Sequence, residues 1–222
     1  MRAYSRLIAS RHTVLEIGTH TLHFARCVGS QGRVYAFEPT TSACRKLRDN
    51  TALNPSLAHT ITTAQVMLVS NAASSLTPEI YSSWPLTGRH DRHVQHQGTL
   101  RSTTGAQTST LDQFLSQADV TKIDFVELDV EGHECEVPEG WTTIKQYRPK
   151  ILMELAGHED RGRTLRELLS LISAAGYQLF RVGRQRSSRW REKVPMDAAV
   201  VAGRVAFGSS INSVAMPRAW PS

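Results

Sequence analysis

Short apolar runs alternate with segments of helical period along most of the chain. The apolar runs predict strands at 13–18, 32–39, 64–72, 122–132, 148–156, 177–182 and 196–203. Apolar residues at helical spacing predict helices at 19–29, 40–54, 108–118, 133–147 and 163–176. Strands that alternate with helices form parallel sheets covered on both sides. We therefore predict an α/β fold with a doubly wound, mostly parallel seven-stranded sheet and helices on both faces.

The chain length suits a single domain. With 222 residues, 40% of them apolar and 21% charged, the chain can bury a full core. We place this domain at 1–202. Residues 73–107 break the pattern and are rich in Ser, Thr and His, so they are predicted to be a long loop or a short-strand insertion near the active face. Residues 203–222 have no clear period and form a C-terminal tail of uncertain structure.

Candidate site residues follow from where such sheets bind ligands. The ligand lies past the carboxyl ends of the strands, at the point where the strand order reverses. The candidates that follow successive predicted strands are Glu16, Gly18 and His20, then Glu38, then Ser70 and Asn71, then Asp129, Glu131 and His133, and then Glu154.

The spacing of two of these candidates indicates a nucleotide-containing cofactor. Glu38 follows Gly18 by twenty residues, and a carboxylate there can accept the ribose hydroxyls of a nucleotide. NAD also needs a glycine-rich turn around its pyrophosphate, and here only Gly18 is present. S-adenosylmethionine has no phosphate and carries a cation. The positive charge of S-adenosylmethionine is complementary to the acidic segment 124–139, which has seven acids and no Lys or Arg.

Charge and composition bear on whether the chain binds nucleic acid, a membrane or a metal. The formal charge is +6, and five arginines and a lysine fall within 181–193, which either forms a solvated loop or binds phosphate or nucleic acid. There is no apolar run of membrane-spanning length and no apolar signal-peptide centre near the N-terminus. The three cysteines are widely spaced, so we expect a cytoplasmic, reducing environment. His90, His93 and His96 fit no zinc spacing, and no metal is predicted.

Three segments together resemble a known family. "DFVELDVEGHE", with "STLDQFL" before it and "RPKILMEL" after it, is similar to the FkbM-type S-adenosylmethionine-dependent methyltransferases. "GRVYAFEPTTSACRKLRDNTALN" is similar to the second-strand region of the same family. The resemblance spans roughly 13–182. It implies a Rossmann-like class I methyltransferase fold and transfer of a methyl group to oxygen, typically a hydroxyl of a sugar or natural product.

The first turn and the fourth predicted strand depart from the family pattern. The family usually has acid-x-Gly-Ala-Asn-x-Gly in the first turn, where this chain has Thr19, His20 and Leu22 in place of a small residue, an amide and the second glycine. The family often has Lys where this chain has Glu127. These departures leave the fold unchanged, and they bear on how tightly the turn holds the cofactor.

The resemblance and the predicted strand ends suggest a role for several candidates. His133 is predicted to be the general base for a hydroxyl acceptor, with Asp129 either contacting the cofactor or orienting that histidine. Glu131 is predicted to hold the turn after the strand, and Glu154 to close the pocket.

Other functions compete with a small-molecule O-methyltransferase. The arginine-rich segment leaves a nucleic-acid methyltransferase open, although nucleic acid is the less favoured partner. The altered first turn leaves open a non-catalytic binding module that keeps the fold. A dehydrogenase is the remaining alternative. The acceptor and the oligomeric state are not indicated by the sequence.

Overall fold

The structure is a computed structural model, and it describes residues 7–18, 20–71, 73–82, 99–128, 142–155, 170, 172–181, 193–194 and 211–217. Its strands are β1 (Thr13–Ile17), β2 (Arg33–Phe37), β3 (Ile61–Ala64), β4 (Val66–Leu68), β5 (Glu79–Ser82), β6 (Thr99–Ser102), β7 (Gln107–Ser109), β8 (Phe125–Leu128), β9 (Lys150–Leu155), β10 (Tyr177–Arg181), β11 (Lys193–Val194) and β12 (Ile211–Pro217). Its helices are α1 (Thr21–Val28), α2 (Thr41–Ala52), α3 (Pro55–Ala58), α4 (Leu111–Gln117) and α5 (Thr142–Tyr147).

Five parallel strands form the centre of the main sheet. Over the described residues this sheet has eight strands in the order β11-β10-β12-β9-β8-β1-β2-β3. The strands from β9 to β3 are parallel, whereas β12, β10 and β11 pair antiparallel. The predicted α/β fold with a parallel central sheet is confirmed, and the predicted count of seven strands is corrected to eight. The strand order reverses beside β1, so ligand-binding groups are expected at the carboxyl ends of β1, β2 and β8.

The third strand of the main sheet differs from the prediction. The apolar run at 64–72 was the expected strand, but the sheet uses β3, which ends at Ala64. The apolar run continues instead into β4, which pairs with β7 in a separate two-stranded sheet. Because β3 lies at the edge of the main sheet, it does not need a continuous apolar sequence, and this weakens its signal.

The segment near the C-terminus completes the antiparallel side of the sheet. Residues 211–217, for which the sequence predicted no element, form β12 between β9 and β10. The predicted strand at 196–203 lies outside the described residues. In the region 73–107, β5 and β6 form an antiparallel pair, and the insertion near the active face stays a prediction.

Two apolar clusters cover opposite faces of the main sheet. Along β1, Val14 belongs to one cluster, and Leu15 and Ile17 belong to the other, as expected for side chains that alternate along a strand. α1 packs into the first cluster through Phe24. The ring of Phe24 packs edge-on against that of Phe125, with 5.7 Å between the ring centres. α4 packs into the second cluster. Among the described residues, no helix is long and apolar enough to span a membrane.

The first two helices bury the faces that their sequences indicate, with two exceptions. The apolar spacing in α2 points Ala43, Leu47 and Ala52 inward; the helix buries the first two, and Ala52 is exposed because the helix ends there. In α1 the same spacing points Leu22, Ala25 and Val28 inward; Ala25 and Val28 are buried and Leu22 is half-buried. α1 ends before Gly29, whose φ of 68° lies in the left-handed region that favours glycine.

α4 is joined to α5 through one carboxylate. Thr110 caps α4 in a capping box with Gln113. In the first turn of α4, Asp112 accepts hydrogen bonds from the backbone N–H groups of Thr142 at 3.1 Å and Thr143 at 3.2 Å, and also from both threonine hydroxyls. The carboxylate of one helix therefore caps the start of the next.

We expect Asp112→Ala to lower the free energy of unfolding by about 1–3 kcal/mol, the usual cost of losing a helix cap and charge-assisted hydrogen bonds. The measurement is urea unfolding at neutral pH. Asp49→Ala on the exposed side of α2 is the matched control and should change stability little. An equal loss in both variants would show that Asp112 does not join the helices energetically.

Candidate active site

A pocket lies beside the carboxyl ends of β1 and β2, between the starts of α1 and α2. Its volume is about 150 Å³, and its lining includes Gly18, His20 and Glu38 together with Leu22 and Leu47. Three of the predicted site residues therefore meet at one place. This volume is below the 300–1,000 Å³ typical of pockets for whole cofactor-sized ligands, so it suits one part of a cofactor.

Glu38 is held rigidly at the end of β2. Its backbone N–H donates to the carbonyl of Ala64 at 3.0 Å, which fixes the chain as it leaves the strand. Its Oε1 accepts hydrogen bonds from the backbone N–H of Thr40 at 2.8 Å and from the Thr40 hydroxyl at 2.7 Å. Burial raises the pKa of Glu38, and the two Thr40 bonds oppose that rise. The carboxyl group is therefore fixed before any ligand binds.

Glu16 is a fully buried acid beneath the first turn. Its Oε1 accepts a hydrogen bond from the backbone N–H of His20 at 2.9 Å, and its Oε2 accepts one from the Thr21 hydroxyl at 2.5 Å. Burial and the neighbouring Glu127 raise the pKa of Glu16 to about 8, against the pull of these hydrogen bonds. The turn with a single glycine is thus held by a side-chain carboxyl group.

Glu127 lies beside Glu16 on the adjacent strand. The register of β1 and β8 places the two residues opposite each other, and Glu127 is 3% exposed. Its Oε1 lies 2.9 Å from Nδ1 of His20. Its Oε2 receives no hydrogen bond from the part of the chain that the structure describes. Glu127 was not among the site residues predicted from the sequence, although it stands where the family often has Lys.

The other predicted site residues are distributed differently. Ser70 and Asn71 follow β4, which is not in the main sheet, and neither lines the pocket. Asn71 instead closes a local turn by accepting a hydrogen bond from the backbone N–H of Ala73 at 2.9 Å. Glu154 lies in β9, where its backbone pairs with Asn212, and the role of its side chain stays a prediction. The predictions for Asp129, Glu131 and His133 lie outside the described residues, as do those for His90, His93 and His96.

The structure describes two acids of the segment 124–139, Asp124 and Glu127, and they lie at different places. Asp124 lies at the amino end of β8, away from the pocket, where it accepts a hydrogen bond from the backbone N–H of Thr13 at 2.8 Å and pairs with Lys122 at 2.9 Å. Among the described residues, the acids at the site are Glu16, Glu38 and Glu127, which come from three different strands or strand ends. The fold brings these three acids together from distant parts of the sequence.

Comparison with known proteins identifies the family. The methyltransferase FkbM domain matches residues 12–179. The chain belongs to the FkbM methyltransferase family. The hexuronic acid methyltransferase AglP of Haloferax volcanii is 28% identical over 146 residues, which cover 65% of this chain and 54% of that relative. The match therefore spans about half the length of that curated relative.

Solved structures agree with the FkbM family fold. An FkbM methyltransferase from Methylobacillus flagellatus superposes with a TM-score of 0.52 at 15% identity, covering 93% of this chain and 43% of that one. A proposed rRNA methylase from Clostridium thermocellum superposes with a TM-score of 0.52 at 10% identity, covering 97% and 91% of the two chains. At these identities the likeness shows the fold alone. The family and the fold together support a methyltransferase.

Proposed function

We propose that this FkbM-family chain is an S-adenosylmethionine-dependent O-methyltransferase whose acceptor is a hydroxyl of a small molecule such as a sugar. The observation that carries the proposal is the pocket that brings Gly18, His20 and Glu38 together above the buried pair Glu16 and Glu127. The likeness to a hexuronic acid methyltransferase supports a sugar as the acceptor.

The residues of the site fit S-adenosylmethionine in charge and in shape. Glu38 is fixed by Thr40 and lines the pocket, so it is suited to accept hydrogen bonds from ribose hydroxyls. The buried carboxylate oxygen of Glu127 without a hydrogen-bond donor favours a positively charged ligand nearby. A sulfonium cofactor supplies that charge.

The same residues disfavour a dinucleotide. A pyrophosphate binds to free backbone N–H groups at the start of a helix. Here the N–H of His20, which precedes α1, already donates to Glu16. A pyrophosphate would also lie near the buried carboxylate of Glu127, whose Oε1 is 2.9 Å from His20, and like charges at short range make binding less favourable. The geometry therefore favours the phosphate-free cofactor over NAD.

The chemistry that the cofactor supplies is an activated methyl group, and the protein mainly positions the acceptor. Holding the acceptor hydroxyl in line with that methyl group contributes roughly 7–11 kcal/mol in well-oriented systems. A general base adds about 10²–10⁴-fold. We propose His133 as this base and Asp129 as the residue that orients it or contacts the cofactor. Both follow β8, whose carboxyl end lies beside that of β1.

The test is transfer of a labelled methyl group from S-adenosylmethionine to a panel of hexuronic acid glycosides, neutral hexosides and RNA. We expect product with a glycoside, and we expect His133→Ala to lower turnover by about 10²-fold or more while cofactor affinity stays within a few-fold. Product only with RNA would favour the nucleic-acid alternative. Tight cofactor binding without transfer to any acceptor would favour the non-catalytic binding module.

A further inference from the structure

We propose that Glu127 is a positioning residue of the cofactor site, which holds the His20 ring so that its outer edge contacts the amino-acid end of the bound cofactor. The inference rests on the proposed function, because it requires S-adenosylmethionine in this pocket. Glu127 does not itself line the pocket, whereas His20 does. Glu127 therefore acts through His20.

The position of Glu127 in β8 fixes the direction of its side chain. Val126 and Leu128 on either side of it belong to the cluster that α4 covers, whereas Phe125 belongs to the cluster that α1 covers. Because side chains alternate along a strand, Glu127 faces the side of the sheet on which α1 lies. A buried carboxylate needs a polar or charged partner. Nδ1 of His20 lies 2.9 Å from Oε1 of Glu127, within ion-pair distance, although the two atoms are not aligned as a hydrogen bond.

The contact with Glu127 sets the orientation of the His20 ring. Nδ1 is buried against the carboxylate, yet 37% of the His20 side chain is exposed and the residue lines the pocket. The exposed part is therefore the opposite edge of the ring, which carries Nε2. The Phe24 ring, whose centre is 6.0 Å from that of His20, packs beside it. A histidine with one nitrogen against a carboxylate presents its other nitrogen in a defined direction.

The chemistry of the cofactor indicates which end His20 contacts. Glu38, at the end of β2, is assigned to the ribose hydroxyls. His20 lies on the separate turn between β1 and α1. The amino-acid end of the cofactor carries both an ammonium and a carboxylate group. A charged imidazole donates from Nε2 to the carboxylate, and a neutral one accepts at Nε2 from the ammonium. In either state Nε2 has a complementary group at that end.

The test compares two ligands that differ only at the amino-acid end. S-adenosylhomocysteine carries that end, and methylthioadenosine lacks it while keeping the adenosine and the thioether. We expect Glu127→Leu to weaken binding of S-adenosylhomocysteine about 10-fold and to leave methylthioadenosine binding unchanged. Glu127→Gln keeps an oxygen at the same position and should stay within about threefold of the wild type. Glu79→Gln, the same change at an exposed site on β5, is the matched control and should alter neither affinity.

A double variant tests whether Glu127 acts through His20. In a His20→Ala background, which removes the ring, Glu127→Leu should cause no further loss of S-adenosylhomocysteine affinity. Equal weakening of both ligands, a loss that persists in the His20→Ala background, or a Gln variant as weak as the Leu variant would each overturn the proposal.

Urea unfolding shows whether the variants fold. If Glu127→Leu does not fold, His20→Ala carries the test, because it must weaken binding of S-adenosylhomocysteine and leave binding of methylthioadenosine unchanged. A folded wild-type protein that binds neither ligand would overturn the proposed function, and this inference with it. A wild-type protein that binds both, with the variants showing no difference between the ligands, would overturn this inference alone.

Discussion

Replacing Glu38 with alanine is expected to weaken binding of S-adenosylmethionine by roughly 10- to 150-fold, which corresponds to about 1.5–3 kcal/mol for hydrogen bonds to a charged group. The reason is the fixed geometry of the carboxyl group. Thr40 holds it at two points, so little conformational freedom is lost when ribose hydroxyls bind to it. The measurement is the dissociation constant by calorimetric titration.

Glu38→Gln separates the charge of the side chain from its structural role. The amide keeps an oxygen that can accept from Thr40, so the start of α2 should keep its structure, while the charge at the ribose is lost. We expect an affinity between those of the wild type and the alanine variant. Glu79→Gln at an exposed position is the control. Unchanged affinity in Glu38→Ala, with the fold intact, would show that the ribose does not lie at the end of β2.

The second large effect concerns the pH dependence of stability. The pKa of Glu16 rises from its ordinary value of 4.5 to about 8 in the folded protein, because the group is buried beside Glu127. A pKa raised by folding means that the folded state binds the proton more tightly than the unfolded state. The stability from this group is therefore complete below about pH 4.5 and is lost as the pH rises through about 8.

We expect the free energy of unfolding to carry a contribution from Glu16 that falls by up to about 1.4 kcal/mol per pH unit within that range. Glu16→Gln keeps an oxygen for the N–H of His20 and cannot ionise, so it should remove this slope. Urea unfolding of the wild type and the variant at pH 5, 6, 7 and 8 checks this difference in slope. Parallel curves for the two proteins would show that folding does not raise the pKa of Glu16.

Much of the site could be predicted from strand order and spacing. Gly18, His20 and Glu38 follow strands whose carboxyl ends meet at the reversal of strand order, and the structure brings them to one pocket. The rule depends only on which strands are neighbours, and β1 and β2 were correctly predicted.

The parts that sequence reasoning missed depend on contacts between distant residues. Glu127 falls inside an apolar run, and only the register with β1 shows that it faces Glu16. The most apolar run nearby predicts the third strand at 64–72 and so places Ser70 and Asn71 at a strand end, whereas the edge strand β3 is less apolar. β12 was missed because its polar residues interrupt the apolar pattern. Its place in the sheet comes from pairing with β9 and β10.

The central claim is that a turn with one glycine, held by Glu16 and His20, binds a phosphate-free cationic cofactor. Calorimetric titration of the purified protein with S-adenosylmethionine, S-adenosylhomocysteine and NAD tests it most directly. We predict saturable binding of the first two and none of NAD. Binding of NAD in preference to S-adenosylmethionine, or no binding of any of the three by a protein that unfolds cooperatively, would contradict this account.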